Sequence, residues 1–170
     1  MTTPQIIRNR RVEDDRWQTV AADASEIPAG AVIVPLALWK TRRDELLARR
    51  DPVGVWLKPD DDPRDIASDL EHLHLVAVQF PKWGDGRGYS TATLLRSRYA
   101  YRGELRAFGD LGRDHVFGLA RVGFDSMQLA ERHYPHAALA AFNDFSLRYQ
   151  GAVDDPLPLF RRRARGGALQ

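Results

Sequence analysis

The 170-residue sequence carries 25 Lys and Arg against 23 Asp and Glu, a formal charge of +2 at pH 7, and 44% apolar residues, the profile of one globular domain rather than a disordered chain. It contains no cysteine, which excludes a disulfide framework, a thiolate nucleophile, Cys-ligated zinc and an iron–sulfur cluster held by this chain. Its longest apolar runs, residues 31–39 and 73–80, fall far short of the ~20 residues a membrane helix needs, and the opening MTTPQIIRNRR lacks an apolar signal region, so a cytoplasmic protein without membrane contact is expected.

In chain order, Ile6, Ile7 and Val12 around Asn9-Arg10 predict a short N-terminal hairpin, because Asn tolerates the positive φ of a tight turn. Trp17 and Val20 are expected to pack back on the domain. After the turn signal Pro28-Ala29-Gly30, residues 31–36 form an apolar run suited to a strand buried on both faces. A helix over 38–50 follows, with Leu46 and Leu47 on its apolar side, then a strand over 53–57. Asp60-Asp61-Asp62-Pro63 is a helix start: carboxylates suit the helix N-terminus and proline its first turn. Ile66, Leu70 and Leu73 continue that helix into a strand over 75–80. Further elements are a helix over 91–101, a strand over 104–108, a helix over 113–121, a strand over 124–129, a helix over 135–145 and a strand over 146–150.

Alternating strands and ten-residue helices predict an α/β fold with a mainly parallel sheet, either a partial β/α barrel or an open doubly wound sheet, preceded by the short hairpin. Residues 1–160 are read as a single domain and 161–170 as a basic, flexible tail. The tail cluster Arg161–Arg165 has no interleaved aromatics, so no nucleic-acid partner is expected.

Ligands of parallel α/β folds bind at the carboxyl ends of the strands. Chain order therefore brings Lys58, the loop from Asp85 to Ser90 and Asp110 to one rim. The loop WGDGRGYS holds Asp85, Gly86, Arg87, Gly88, Tyr89 and Ser90. With Ser90 as helix N-cap and Arg87 alongside, these residues could cradle a small oxyanion. The bland alternative is a tight β–α turn in which Asp85 caps backbone groups and Arg87 pairs with Asp110. Its spacing is neither G-x-G-x-x-G nor a Walker motif, so no nucleotide cofactor is expected. Asp110 and Lys58 are the candidate catalytic residues by position alone.

Arg96, Arg98, Arg102, Glu104 and Arg106 are read chiefly as structural ion pairs. Arg98 and Arg102 would share a helix face, and Glu104 and Arg106 one side of a strand. The histidine spacings match no metal pair, and His115, at a helix start, is read as a capping or surface residue rather than a catalytic one. Most aromatics are assigned to packing; Trp83 and Tyr89, inside the glycine-rich loop, are the two that could serve as a contact surface.

The run from Phe80 to Met127 resembles the bacterial domain-of-unknown-function family numbered 934. The residues that carry the resemblance are Asp85-Gly86-Arg87, Tyr89-Ser90, Ala92, Leu94-Leu95-Arg96, Arg98, Gly103–Ala107, Gly109-Asp110, Arg121 and Gly123-Phe124-Asp125. His115 stands where the family has glutamine, and Gly112 where an apolar residue is usual. The resemblance implies a protein associated with assimilatory sulfite reduction, with sulfite reductase or another sulfate-assimilation protein as partner. Related proteins carry an oxidoreductase label on that association. Without cysteine, the expectation for this chain is an accessory role, binding a partner and a small oxyanion, rather than redox catalysis; the alternative is a small β/α enzyme acting on an oxyanion or carboxylate.

Overall fold

The computed structural model describes residues 3–143. Eight strands form one sheet: β1 Gln5–Arg8, β2 Arg11–Asp14, β3 Gln18–Thr19, β4 Val32–Pro35, β5 Val53–Leu57, β6 Leu75–Phe80, β7 Glu104–Gly109 and β8 Ser126–Gln128, in spatial order 2-1-8-7-6-5-4-3. From β3 to β8 every neighbouring pair is parallel, whereas β1 joins both β2 and β8 antiparallel. The sheet is thus mixed, which corrects the expectation of a mainly parallel one. Asn9 and Arg10 turn the predicted hairpin with φ of 49° and 63°.

The strand order also removes the doubly wound alternative. A doubly wound sheet reverses direction at a switch point, so its helices cover both faces. Here β3 to β8 add in one direction, and right-handed crossovers then place every connection on the same face. The sheet curls into a half-barrel.

The two faces carry different chemistry. Toward the helices point Val32, Val34, Val55, Leu57, Val76, Val78, Phe80, Leu105, Ala107 and Met127, which join the main core. The opposite, concave face holds Ile33, Leu75 and Ala77, with Trp17, Trp56 and Phe108 against them. Trp56, opposite Ala77, and Phe108, opposite Gln79, meet edge-on at 5.8 Å over β6. Burial on both sides is why these strands read as unbroken apolar runs rather than alternating ones.

Several helices depart from expectation. The helix predicted over 38–50 is two short ones, α1 Leu36–Thr41 and α2 Arg43–Leu47, broken at Arg42, whose φ of −121° leaves the helical region. Pro63–His72 is a 3₁₀ helix that starts as predicted, with Asp62 accepting the Arg64 N–H at 2.9 Å. Buried Asp69 in it accepts from Arg43 Nε and Nη2 at 3.0 and 2.5 Å and from the Trp39 indole at 3.0 Å, and these bonds hold its carboxyl below the usual range. α3, Arg87–Thr93, begins four residues before the predicted 91 and runs into a π-helical turn, Leu94–Arg98. Arg98 closes that turn and Arg102 lies beyond it, so the two do not share a helix face. α4 is Arg113–Arg121 and α5 is Pro135–Ala138, followed by a 3₁₀ turn to Asn143. The predicted strand over 146–150 and the basic tail lie outside the described residues.

Candidate functional site

The parallel strands end on one rim. From β5 the chain passes to Lys58 and Asp60, from β6 to Lys82–Arg87, from β7 to Asp110–Gly112 and from β8 to Glu131–Tyr134. Lys58, the 85–90 loop and Asp110 follow the carboxyl ends of neighbouring parallel strands; Asp110 accepts the Trp83 N–H at 2.9 Å, and Arg87 reaches Asp60, two residues past Lys58, at 2.6 Å.

Arg87 makes a fork on Asp85, with Nε at 3.1 Å and Nη2 at 2.7 Å, and Asp85 also accepts the Arg87 backbone N–H at 3.1 Å. Asp85 therefore caps backbone as the turn reading required, but the predicted partner of Arg87, Asp110, is replaced by Asp60 and Asp85. Ser90 is not the N-cap: the helix begins at Arg87 with Gly86 before it, which leaves Ser90 inside the first turns. Gly88 serves packing, since a Cβ there would sit 2.4 Å from the Phe80 ring. Tyr89 turns inward as well, meeting Phe80 edge-on at 5.5 Å, and burial raises the pKa of its hydroxyl.

Arg87 holds the Asp85 carboxyl down to about 2 through side-chain and backbone hydrogen bonds. Because the folded value lies below the unfolded ~3.9, the linked stability is present above pH ~4 and lost as pH falls through ~2. Carbon-detected NMR should find the Asp85 midpoint near 2 and its return toward ~4 in Arg87→Ala; an unchanged midpoint in that variant would show that the guanidinium is not the cause.

Asp110 is engaged by Arg132, which ion-pairs with it and keeps its carboxyl below the usual range. Lys58 donates its backbone N–H to Asp61 at 2.7 Å, and its ammonium lies 5.9 Å from the Trp56 ring centroid. His115 is buried at the start of α4, where Nδ1 accepts the Gly112 N–H at 3.1 Å, so Nε2 carries the proton and donates to the Trp83 carbonyl at 2.9 Å. Its capping role is as expected; its grip on Trp83 is an addition the sequence did not disclose. Arg132, His133 and Asp60 were likewise missed, because loops distant in sequence deliver them, and only the strand count past β8 could have pointed to the 131–134 segment.

A wide cleft of about 730 Å³ lies elsewhere, at the amino ends of the strands, among Ser68, Glu71, His74, Tyr99 and Arg102. Those side chains are solvent-facing or half-exposed. No group of three or more His, Asp or Glu among the described residues is placed to hold a metal ion. No helix among them is long and apolar enough to cross a membrane.

A model of a family of bacterial proteins of unknown function, DUF934, matches residues 54–160. The chain belongs to this family. No curated protein matches it, and no solved structure does. The DUF934 match begins inside β5 and so takes in the whole rim, while the hairpin, β3 and β4 precede it.

Proposed function

We propose that this DUF934 protein is a non-catalytic accessory factor of assimilatory sulfite reduction that acts by binding a partner protein. The observation that carries the reading is the state of the rim, where a parallel α/β fold would do chemistry. A general base working near neutral pH needs a carboxyl raised toward 7, and Asp110 and Asp85 are both pushed the other way by arginines. His115 has both ring nitrogens committed to backbone groups. The rim is organised for fixed shape rather than proton transfer. The absence of cysteine adds that this chain offers no thiolate to an iron–sulfur centre. The sulfite-reduction setting comes from the resemblance of the 80–127 run.

A bound oxyanion at Arg87 would have to displace Asp60 or Asp85 from the guanidinium, so partner binding takes precedence over anion binding in this reading. The test is sedimentation of the full chain with the sulfite reductase hemoprotein of the same bacterium, together with turnover assays on each alone. Co-sedimentation, with no sulfite turnover by the chain itself, is expected. Separate boundaries at micromolar concentrations, or turnover of sulfite by the purified chain, would overturn the proposal.

A further inference from the structure

Among the described residues, the large hydrophobic side chains left exposed are Trp83, at 43%, and Tyr134, at 81%. They belong to loops fifty residues apart in sequence, after β6 and after β8, and it is the loops that meet on the rim: the ring of His133, which precedes Tyr134, lies tilted at 5.9 Å from the indole centroid. One exposed aromatic is ordinary on a protein surface; two on neighbouring loops at the strand ends single out this part of the rim.

Trp83 is also held rigidly. Its N–H is taken by Asp110 and its carbonyl by His115, both at 2.9 Å. The indole packs edge-on to the His115 ring at 4.4 Å, and the Arg132 guanidinium lies 6.0 Å from the ring centroid. Gly112 permits this approach, since a Cβ there would stand 2.8 Å from the indole and 2.7 Å from His133 Nε2. Three chain segments thus fix an indole that remains partly in water. An aromatic ordered before contact loses little entropy on binding, and Trp, Tyr and Arg are the residue types that dominate binding hot spots.

Charge narrows the occupant. Across residues 58–62, 82–87, 110–114 and 131–134 there are seven carboxylates and five Lys or Arg. Arg132 and Arg87, the cations nearest the aromatics and the loop, are already neutralised by Asp110, Asp60 and Asp85. A rim with net negative charge repels polyanions, which disfavours nucleic acid and anionic lipid.

We infer that Trp83, Arg132 and Tyr134 form the docking surface for a folded protein partner, one that offers an apolar pocket bordered by basic side chains. This rests on the partner-binding reading above and adds to it the face used and the chemistry of the partner. The basic border would meet a rim of net negative charge, so affinity should fall several-fold between 0.1 and 0.5 M salt while the apolar anchor keeps binding measurable.

The test places a photo-crosslinking p-benzoylphenylalanine at Tyr134 of the full chain in its own host growing on sulfate, with the same probe at Arg11 on the exposed edge strand β2 as control. The expected result is a dominant adduct from position 134 to another protein, mapped to an apolar segment flanked by Lys or Arg, and at least ten-fold weaker when Trp83→Ala is added. Because Tyr134 is almost wholly exposed, Tyr134→Ser cannot unfold the domain, and it should weaken purified-partner binding at least ten-fold with an unchanged melting temperature. An adduct to lipid, nucleic acid or a second copy of this chain, no adduct at 134, or an adduct and affinity indifferent to both substitutions would overturn the inference. Co-sedimentation with sulfite reductase without a 134 adduct would remove the docking surface but keep the accessory role. A 134 adduct to a different protein would keep the surface and remove the sulfite-reduction setting.

Discussion

Arg106→Met should destabilise the domain by about 3–5 kcal/mol, the loss seen when one partner of a buried ion pair is removed. Arg106 stands on the concave face between Ala77 and Ser126, and its side chain is 1% exposed. Its Nη1 donates to Asp15 at 2.8 Å, Nη2 to Glu104 at 3.1 Å and Nε to Ser126 Oγ at 3.3 Å. Ser126 in turn donates to Glu104 at 2.6 Å, and Arg8 reaches the other Glu104 oxygen at 3.5 Å. Methionine fills similar volume but leaves the Asp15 carboxylate without its guanidinium and Glu104 with only the Ser126 hydroxyl and the more distant Arg8. Urea denaturation should show a lower midpoint at unchanged slope, the signature of lost stability rather than an altered unfolded state. Adding Asp15→Asn and Glu104→Gln to Arg106→Met should recover part of the loss, since the uncompensated charges are then gone. A loss below about 1 kcal/mol for the single variant would mean that water reaches the carboxylates and the pairing behaves as a surface one.

Arg106 also marks where sequence reasoning reached and where it stopped. Glu104 and Arg106 are two apart on a strand, so their pairing was legible from the period-2 rule. Asp15 was not, because nothing local says that the chain after the hairpin passes over β7. The same distinction holds for the whole fold. Strand positions followed from apolar runs and turn residues, and all five predicted strands between residues 31 and 129 are present, although β8 is trimmed to Ser126–Gln128. The half-barrel was undecided because the face on which a connection crosses is a property of strand order, not of periodicity. At the rim, chain order placed Lys58, the 85–90 loop and Asp110 after the carboxyl ends of neighbouring strands, as β5, β6 and β7 have them. Ser90 was misplaced because a serine before an apolar helical pattern reads as a cap, whereas the Asp85 carboxylate accepts the Arg87 N–H and starts the helix four residues earlier. Trp83 was singled out by its position in a glycine-rich loop, but its companion Tyr134 could be recognised only once β8 set the 131–134 segment beside it.

The second large effect is expected at Arg96, where replacement by methionine should cost about 2–3 kcal/mol, chiefly for the carbonyls left without a donor, since Asp125 is 39% exposed and water can take over part of its pairing. Its side chain is 12% exposed and nearly every donor is used: Nε on the Gly123 carbonyl at 3.0 Å, Nη1 on the carbonyls of Tyr101 and Gly103 at 2.7 and 2.9 Å, and Nη2 on Asp125 at 2.5 Å. Asp125 accepts the Leu105 N–H at 3.0 Å with the same oxygen, and Tyr101 below the guanidinium donates its hydroxyl to the Leu73 carbonyl at 2.9 Å. One arginine thus ties the π-helical turn to the starts of β7 and β8, and Tyr101 carries the link on to the start of β6. Arg96→Lys should rescue little, because an ammonium has three donors without the planar fork that reaches carbonyls on two sides. Asp125→Asn should cost less, about 1–2 kcal/mol, since the amide oxygen can still accept from Leu105. A double-mutant cycle on Arg96 and Asp125 should give a coupling above about 1 kcal/mol, and additivity would show that the ion pair matters less than the carbonyl contacts. The outcome bears on how the DUF934 signature is read. Arg96, Gly103, Gly123 and Asp125 all belong to this one lock, at the end of the strands away from the rim, so much of the signature specifies the half-barrel itself. Arg96→Met should therefore lower stability yet leave partner affinity per folded molecule unchanged, whereas Tyr134→Ser should do the reverse, and that opposition separates the residues that build the fold from those that present its binding face.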